Sequence, residues 1–505
     1  MSSDRAVPGE PTVGTIPRSD GTASVRGVEA SGGLPSRAVV PERVRPVVEE
    51  TAELVRRFGA ADKRLYVVGG SVRDAVAGPP GGGEPFGPDV DIDLTTDALP
   101  DEIEALVAGW AEAVWSQGKR FGTIGCWHAG RRFEITTHRA EAYLPESRKP
   151  EVRFGNDIVA DLSRRDFTVN AMALRLPELE LVDPFDGLGD LAARKLRTPL
   201  DPTVAFSDDP LRMLRAARFL AGYSLEPSPE LVAAVAALRE RLSIVSAERT
   251  RDELNRLIVL PNPEAGLWFI VQTGLADEFV PEIPALALEQ DAIHRHKDVL
   301  AHTIAVVAKT RPDRILRLAA LFHDVGKPRT RAIGPDGVSF HHHDVVGARL
   351  ARQRLEALRY PTSEIDDVTR LIELHLRFHT YRMGWTDSAL RRYARDAGPL
   401  LGRLNELTRA DCTTRNADRA RELERGVDEL ERRLAELAAR EALDAIRPEL
   451  DGDAVMARLG IGPGKAVGRA LRFLLEVRLE EGLIGAQEAG RRLDAWWAAE
   501  GPGAG

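Results

Sequence analysis

The spacing of hydrophobic positions changes near Thr203, and that change divides the chain. Before it, short apolar runs alternate with polar, Gly-rich breaks. Leu65–Val68 and Val90–Leu94 read as strands, and Gly122–Trp127 and Arg132–Thr137 read as a pair of strands. Val48, Leu54, Val55 and Phe58 have helical spacing and predict a helix over Pro46–Phe58; Pro100–Trp110 reads as another. Strands alternating with helices to about Leu176 predict a small α/β unit. Beyond Thr203 the apolar residues recur at helical intervals, first in Leu211–Leu220, which carries one basic face. Helical segments continue to the C-terminus, broken near Pro261–Pro263 and Pro281–Pro284. The predicted fold class is α+β, a small α/β head followed by an elongated all-helical body.

Other stretches lack this patterning. Residues 1–44 are rich in Gly, Pro, Ser and Thr and read as a disordered tail. Gly78–Pro88 is a Gly/Pro insertion and reads as a loop. Arg/Glu alternation over Arg419–Arg440 suits a coiled coil, or better a solvated helix laced with near-neighbour ion pairs. A length of 505 residues exceeds one ordinary core. Hydrophobic content of 43% and charged content of 29% fit a globular protein, and a net charge of −9 excludes a globally basic nucleic-acid binder. Any RNA site must therefore be a local basic groove. The cysteines, Cys126 and Cys412, are too few for a disulfide framework and point to a reducing cytoplasm. No apolar run reaches the ~20 residues needed to span a bilayer, and no apolar signal core stands at the N-terminus. A cytoplasmic location without membrane contact is expected.

The strand Leu65–Val68 runs into Gly69-Gly70-Ser71, followed by Val72-Arg73-Asp74 at a helix start. Two glycines let a backbone approach an anion closely, and free N–H groups at a helix N-terminus favour phosphate. Ser71 adds a hydroxyl and Arg73 a charge. A tight turn would look the same, so the next segment matters. In Asp91-Ile92-Asp93 the two carboxylates are two apart, and on a strand such residues share a face. Carboxylates on an apolar strand are costly without a metal or other partner. Together these features read as a two-metal nucleotidyl-transfer site, with Mg²⁺ held by Asp91 and Asp93. Glu134 is a candidate third acid on a neighbouring strand. Arg165 and Asp166, with Arg164, stand at the entry of what reads as an apolar helix containing Asn170, suited to ribose and phosphate contact; Asp166 also suits a helix cap. Asp209 and Arg212 are three apart on a helix face. Asp209 can accept from the exocyclic amine of adenine or cytosine while Arg212 donates to the ring nitrogen. Uracil and guanine would leave buried groups unpaired.

These segments resemble the class II CCA-adding and poly(A) polymerase nucleotidyltransferases of the polymerase-beta-like superfamily. The resemblance runs in order through Val67–Asp74, Asp91–Asp93, Arg164–Ala171, Asp183–Gly187, Asp209–Arg215 and Glu248–Leu254. It implies a polymerase-beta-like head with metals at Asp91 and Asp93, nucleotide contacts from Gly69, Gly70, Ser71, Arg73, Arg165, Asp166, Asn170, Asp209, Arg212, Arg215 and Arg218, and ATP and CTP as substrates. Glu248–Glu253 would brace the helices of the neck. The family usually has Glu-Asp before the template arginine, where this chain has Asp208-Asp209. Arg139–Arg153 looks like the flexible loop of enzymes that add the terminal A.

A second constellation lies further on. His302, His323-Asp324, His341-His342-His343, His375, His379 and Asp411 place His and carboxylate ligands on several helical segments, a donor set for a divalent transition metal. The set resembles the HD phosphohydrolase superfamily, which implies His302, His323, Asp324 and Asp411 as ligands and His343 and His375 at positions that often serve a second metal. The expected organisation is a tail over 1–44, a nucleotidyltransferase head over 45–200 and a helical neck with the base-selecting site over 201–290. An HD-type helical metal domain over 291–416 and an RNA-contacting helical tail over 417–505 follow. In that tail Gly460–Lys465 precedes a helix and suits a backbone phosphate. Arg215, Arg218, Arg249 and Arg251 are expected to line the RNA path. The function expected is template-independent addition of C, C and A to the 3′ end of tRNA. The alternatives are a poly(A) polymerase, an HD-type metal-dependent phosphohydrolase, or a structural RNA-binding protein. Oligomeric state is not legible in the chain.

Overall fold

The computed structural model describes residues 39–79, 84, 86–87, 90–139, 154–288, 298–335, 337–378, 384–412, 417–441 and 446–500. Residues 1–38, the expected loop from 140 to 153, and His379 lie outside the described residues. The first helix, Val39–Ala60, begins inside the stretch assigned above to a tail. Its Val44, Val47, Leu54 and Phe58 are buried in the head core. Among the described residues no helix is long and apolar enough to cross a membrane.

The head sheet contains β1 (Leu65–Val68), β2 (Ile92–Thr96), β3 (Ala113–Trp115), β4 (Thr123–His128), β5 (Arg131–Thr137), β6 (Ala173–Leu176) and β7 (Glu180–Val182). Their order is β3-β4-β5-β2-β1-β6-β7. Only β2 and β5 pair in parallel; the other neighbours are antiparallel. Strand β2 starts two residues later than the expected Val90–Leu94. The Val90 amide donates to the Gly87 carbonyl at 3.0 Å, so the chain is still turning there. It also runs further, through buried Thr95 and Thr96, because both hydroxyls find partners. The Thr95 hydroxyl donates to the Thr136 carbonyl at 2.9 Å, and that of Thr96 accepts from the Ala98 amide at 3.1 Å.

Phe167–Met172 does not form the helix expected after Arg165-Asp166. It makes one 3-10 turn, Thr168–Asn170, and passes into β6. Thr168 and Val169 are β-branched and resist continued helix. The Thr168 amide instead donates to the Arg197 carbonyl at 2.9 Å.

The body is mainly helical, yet "all-helical" needs correction. Arg331–Gly334 and Gly337–Phe340 form a hairpin, with Gly337 at φ 110° in its turn, and Lys195–Leu196 pairs with Glu226–Pro227. The helix Ala417–Glu441 is only half a solvated helix. Val427, Leu430, Leu434 and Leu437 are buried on one face, while ion pairs such as Arg432–Glu429 hold the other. One hydrophobic core runs without a break from Phe167 through the helices Leu211–Tyr223, Ala247–Ile258 and Arg314–Phe322 to Leu437.

Arg317 pins this core. It is 1% exposed and makes no ion pair with a carboxylate among the described residues. Its guanidinium donates to the carbonyls of Thr310, Ile258 and Leu260, two of them just beyond helix ends and one closing the helix Ala247–Ile258. Carbonyls at helix C-termini are orphaned acceptors at the negative end of the dipole. Arg317→Met is expected to lower stability by about 3 kcal/mol by leaving those carbonyls bare, read as a drop in the thermal midpoint of the full chain.

Candidate active site and metal centre

The head site follows from register. In β2 exposure alternates, with Asp91 and Asp93 open and Ile92 and Leu94 buried, so both carboxylates share one face of the chain. Asp93 pairs directly with Glu134 of β5, Glu134 with Gly125 of β4, and Gly125 with Trp115 of β3. Trp115, Gly125, Glu134 and Asp93 therefore form one row across four strands. Asp93 has no hydrogen-bond or ion-pair partner among the described residues, whereas Asp91 and Glu134 both meet Arg132, at 3.6 and 2.5 Å. The Asp93 side chain is open to solvent, yet enough protein surrounds it to strip part of its hydration. That desolvation, with the charges of Glu134 and then Asp91, pushes its pKa up to about 6 against the opposing charges of Arg165 and Arg132. Hard carboxylate oxygens facing one side suit Mg²⁺. Among the described residues no three head ligand atoms converge within 4.8 Å; Arg132 draws Asp91 and Glu134 to itself.

The glycine loop lies beside this row. Gly69 takes φ 71° and ψ −133° as the cap of the helix Gly70–Ala77. A side chain at Gly69 would meet the Arg165 guanidinium at 3.0 Å. Arg165 thus touches the loop and also acts electrostatically on Asp93. Its Nε is buried without a partner, and one Nη contacts buried Asp161 at 3.3 Å. Ser71 is buried in the first turn.

Several residues expected to touch nucleotide are joined to one another instead. The Arg73 guanidinium lies under Gly70, 3.2 Å from where a side chain there would begin. It donates to both oxygens of Asp74 at 2.8 and 3.0 Å and to Asn170, and it packs over the rings of Tyr223 and Phe219. Its charge stays beside the loop, held there by Asp74, Asn170 and the two rings. Asn170 donates to Asp166 at 2.9 Å, and Arg215 grips Asp166 at 2.8 and 2.5 Å. Burial alone would raise the Asp166 pKa; the Arg215 charge and the Asn170 hydrogen bond outweigh it and hold it at about 2. Buried Glu253 receives Arg218 at 2.7 Å and Arg256 at 3.1 Å and lies 3.7 Å from Arg215. The Tyr223 hydroxyl donates to Asp74 at 2.6 Å. This polar chain links the glycine-loop helix to the helices Leu211–Tyr223 and Ala247–Ile258. Nothing local in the sequence announces it; Tyr223 and Asp74 are 149 residues apart.

Asp209 precedes the helix Leu211–Tyr223 rather than sharing its face. One oxygen accepts from the Leu211 amide at 3.1 Å, and the other from Arg249 at 2.8 Å. Arg212, in the first turn, donates to the carbonyls of Ala205 and Arg164 at 3.3 and 2.5 Å. Both side chains are half-buried. Arg251 pairs with Asp252 at 3.0 Å. Lys465 opens the helix Lys465–Glu481, after Gly460 closes the preceding helix at φ 63°.

The histidine section assembles as a buried cluster. Ligand atoms of His302, His323 and Asp324 lie within 4.8 Å of one another, and so do those of Asp324, His343 and His375. Asp324 is shared. Asp411 closes the first group, 2.8 Å from His302 Nε2 and 3.6 Å from His323 Nε2. In His323, His343 and His375, Nδ1 lies 2.6–2.7 Å from the carbonyl three residues earlier. A carbonyl only accepts, so each Nδ1 carries the hydrogen and Nε2 is the atom turned to the cluster. Nε2 of His323 lies 3.3 Å and that of His343 3.5 Å from Asp324, both buried and neither in hydrogen-bonding geometry among the described residues. Nitrogens turned to a shared carboxylate in this way fit a divalent transition metal. Without metal, burial disfavours charge on His323, but Asp324 and Asp411 outweigh it and push its pKa up to about 10. Burial, then the His323 charge, holds His375 at about 4. Lys327 Nζ donates to Asp324 at 2.6 Å, a contact the motif reading missed.

Known families match three parts of the chain: the Poly A polymerase head domain over residues 65–197, the probable RNA and SrmB-binding site of polymerase A over 224–286, and the HD domain over 299–420. An A-adding tRNA nucleotidyltransferase from Deinococcus radiodurans is 39% identical over 356 residues, spanning 68% of this chain and 80% of that enzyme. A CCA-adding enzyme from Levilactobacillus brevis is 36% identical over 236 residues, 46% of this chain and about half (54%) of its own length. The Bacillus stearothermophilus CCA-adding enzyme in complex with CTP shares the fold, with a TM-score of 0.62 at 22% identity over 89% of this chain and 97% of that one.

Proposed function

Because this chain belongs to the tRNA nucleotidyltransferase family of A-adding and CCA-adding enzymes, we propose that it transfers CMP and AMP from CTP and ATP onto the 3′ hydroxyl of tRNA, adding C, C and A and releasing pyrophosphate. The observation that carries this reading is the acidic row: Asp93 beside Glu134, with Asp91 on the same face, next to a Gly69 turn held against Arg165. Asp91 and Asp93 hold Mg²⁺. When bound there, the metal supplies activation of the attacking hydroxyl and stabilisation of the leaving pyrophosphate. The Gly69-Gly70 turn and the amides of the following helix orient the triphosphate. Arg165 adds charge at the same place, and Arg73 stiffens the loop from beneath. Asp209 and Arg212 read the base edge, Asp209 exchanging its Arg249 contact for the exocyclic amine. The cluster of His302, His323, Asp324, Asp411, His343 and His375 would hold a divalent transition metal, which would supply the chemistry of phosphoester hydrolysis.

A second reading, addition of the terminal A alone, is favoured by the broad match to an A-adding enzyme, which spans 80% of that protein. The test is incubation with tRNAs ending before the first C, the second C and the A, each with one labelled nucleotide at a time. Incorporation of C, C and A followed by arrest is the expected result. Labelling only of the tRNA that already ends in C-C would establish the A-adding reading. Long A tails on arbitrary RNA would establish a poly(A) polymerase, and no incorporation at all would leave an RNA-binding protein.

A further inference from the structure

Among the described residues Arg132 is the one head side chain that pairs with both Asp91 and Glu134, and no motif accounts for it. Its guanidinium lies 2.5 Å from Glu134 and 3.6 Å from Asp91, across the face where a metal would bind. It also lies over the Trp115 ring, 5.3 Å from the centroid. That ring is placed by the absence of a side chain: a Cβ on Gly125 would fall 2.0 Å from the Trp115 indole nitrogen. Gly125 thus lets the indole lie over the row beside Glu134, under the arginine. The guanidinium has two resting partners, the carboxylates and the ring.

We propose that Arg132 is a resident counter-cation of the catalytic carboxylates, so that Mg²⁺ binding requires its guanidinium to leave Glu134 and Asp91 and remain on Trp115. This rests on reading Asp91 and Asp93 as the metal ligands. The guanidinium lies on oxygens of Asp91 and Glu134 that a metal at Asp91 and Asp93 would draw to itself, so arginine and metal compete for the same carboxylates. The arginine keeps the acids from repelling one another while the site is empty of metal, and it sets how much Mg²⁺ is needed to fill it. Stacking on an indole holds a displaced guanidinium at little cost.

The test is Mg²⁺ titration of the full chain without nucleotide, followed by calorimetry and by tryptophan fluorescence, for wild type, Arg132→Gln, Trp115→Phe and Asp93→Asn. The HD cluster is His-rich and prefers softer metals, and the Asp93→Asn titration identifies the head signal. Arg132→Gln is expected to tighten Mg²⁺ binding about three- to tenfold at low salt, less at high salt because the ion pair is partly exposed. Wild type should show a fluorescence change on Mg²⁺ addition that both Arg132→Gln and Trp115→Phe lose. Unchanged or weaker Mg²⁺ binding in Arg132→Gln, with the Asp93→Asn signal absent, overturns the role of Arg132 while leaving the metal site standing. A signal that survives Asp93→Asn overturns the metal site and the inference with it.

Discussion

Asp93→Asn is expected to reduce nucleotide incorporation about a thousandfold or more while leaving the fold intact. The substitution keeps the shape of a side chain that makes no hydrogen bond or ion pair among the described residues and removes a charge the folded state disfavours, so metal-free stability at neutral pH should hold or rise slightly. What it removes is the one carboxylate of the row that Arg132 does not hold, and a missing metal ligand is felt in the transition state, where charge develops. Single-turnover addition to a tRNA lacking its terminal A, at saturating ATP, measures it. Activity within tenfold of wild type would place the catalytic metal elsewhere. The same carboxyl sets a pH dependence. Its pKa stands at about 6 against an ordinary 3.8, so in the metal-free protein it keeps its proton until the pH exceeds about 6. Only the ionised form binds Mg²⁺, so the apparent Mg²⁺ affinity should fall as pH drops through 6. For stability the sign is opposite. Between 3.8 and 6 the folded state holds more protons than the unfolded one, so metal-free stability declines as pH rises through that window, and Mg²⁺ offsets the loss.

Asp324→Asn should empty the HD cluster while sparing the polymerase. Asp324 is the only ligand common to both converging groups, so its loss strikes both positions at once. A fall in transition-metal affinity of about a hundredfold or more is expected, measured as metal content of the purified protein and as hydrolysis of p-nitrophenyl phosphate. Nucleotide addition to tRNA should stay within about twofold of wild type. If the full chain added no nucleotide to any tRNA while Asp324→Asn abolished its phosphoester hydrolysis, the hydrolase reading would replace the transferase. Asn in place of Asp keeps the volume of a buried side chain and accepts from Lys327, so loss of metal can be told from loss of fold by the thermal midpoint.

Much of the head was legible because its signal is periodic and local. Asp91 and Asp93 are two apart, a strand turns such residues to one side, and the register then places Glu134 beside them. The HD cluster was legible through the family its His and Asp residues resemble, and the structure brings His302, His323, Asp324, His343, His375 and Asp411 together. The errors share one cause: they concern contacts between residues far apart in sequence. Asp166 looked like a helix cap because Arg215, which grips it, lies 49 residues away. The contacts that lock Arg73 beneath its loop were not legible either, because Tyr223 and Asn170 are equally remote. Nothing in the sequence marks Arg317, since only packing shows that three carbonyls surround it. The hairpin Arg331–Phe340 was missed beside a His-rich run whose helical spacing dominated the reading.

The clamp at Arg317 has an evolutionary consequence. The carbonyls it satisfies belong partly to the helix that carries Arg249 and Glu253, while His323 and Asp324 follow at the far end of its own helix. A lineage that traded its HD segment for another, or discarded it, would also have to rebuild the floor beneath the helix Ala247–Ile258. Inheritance of the two sites as a single heirloom is thus favoured by packing alone, whether or not selection still uses the second.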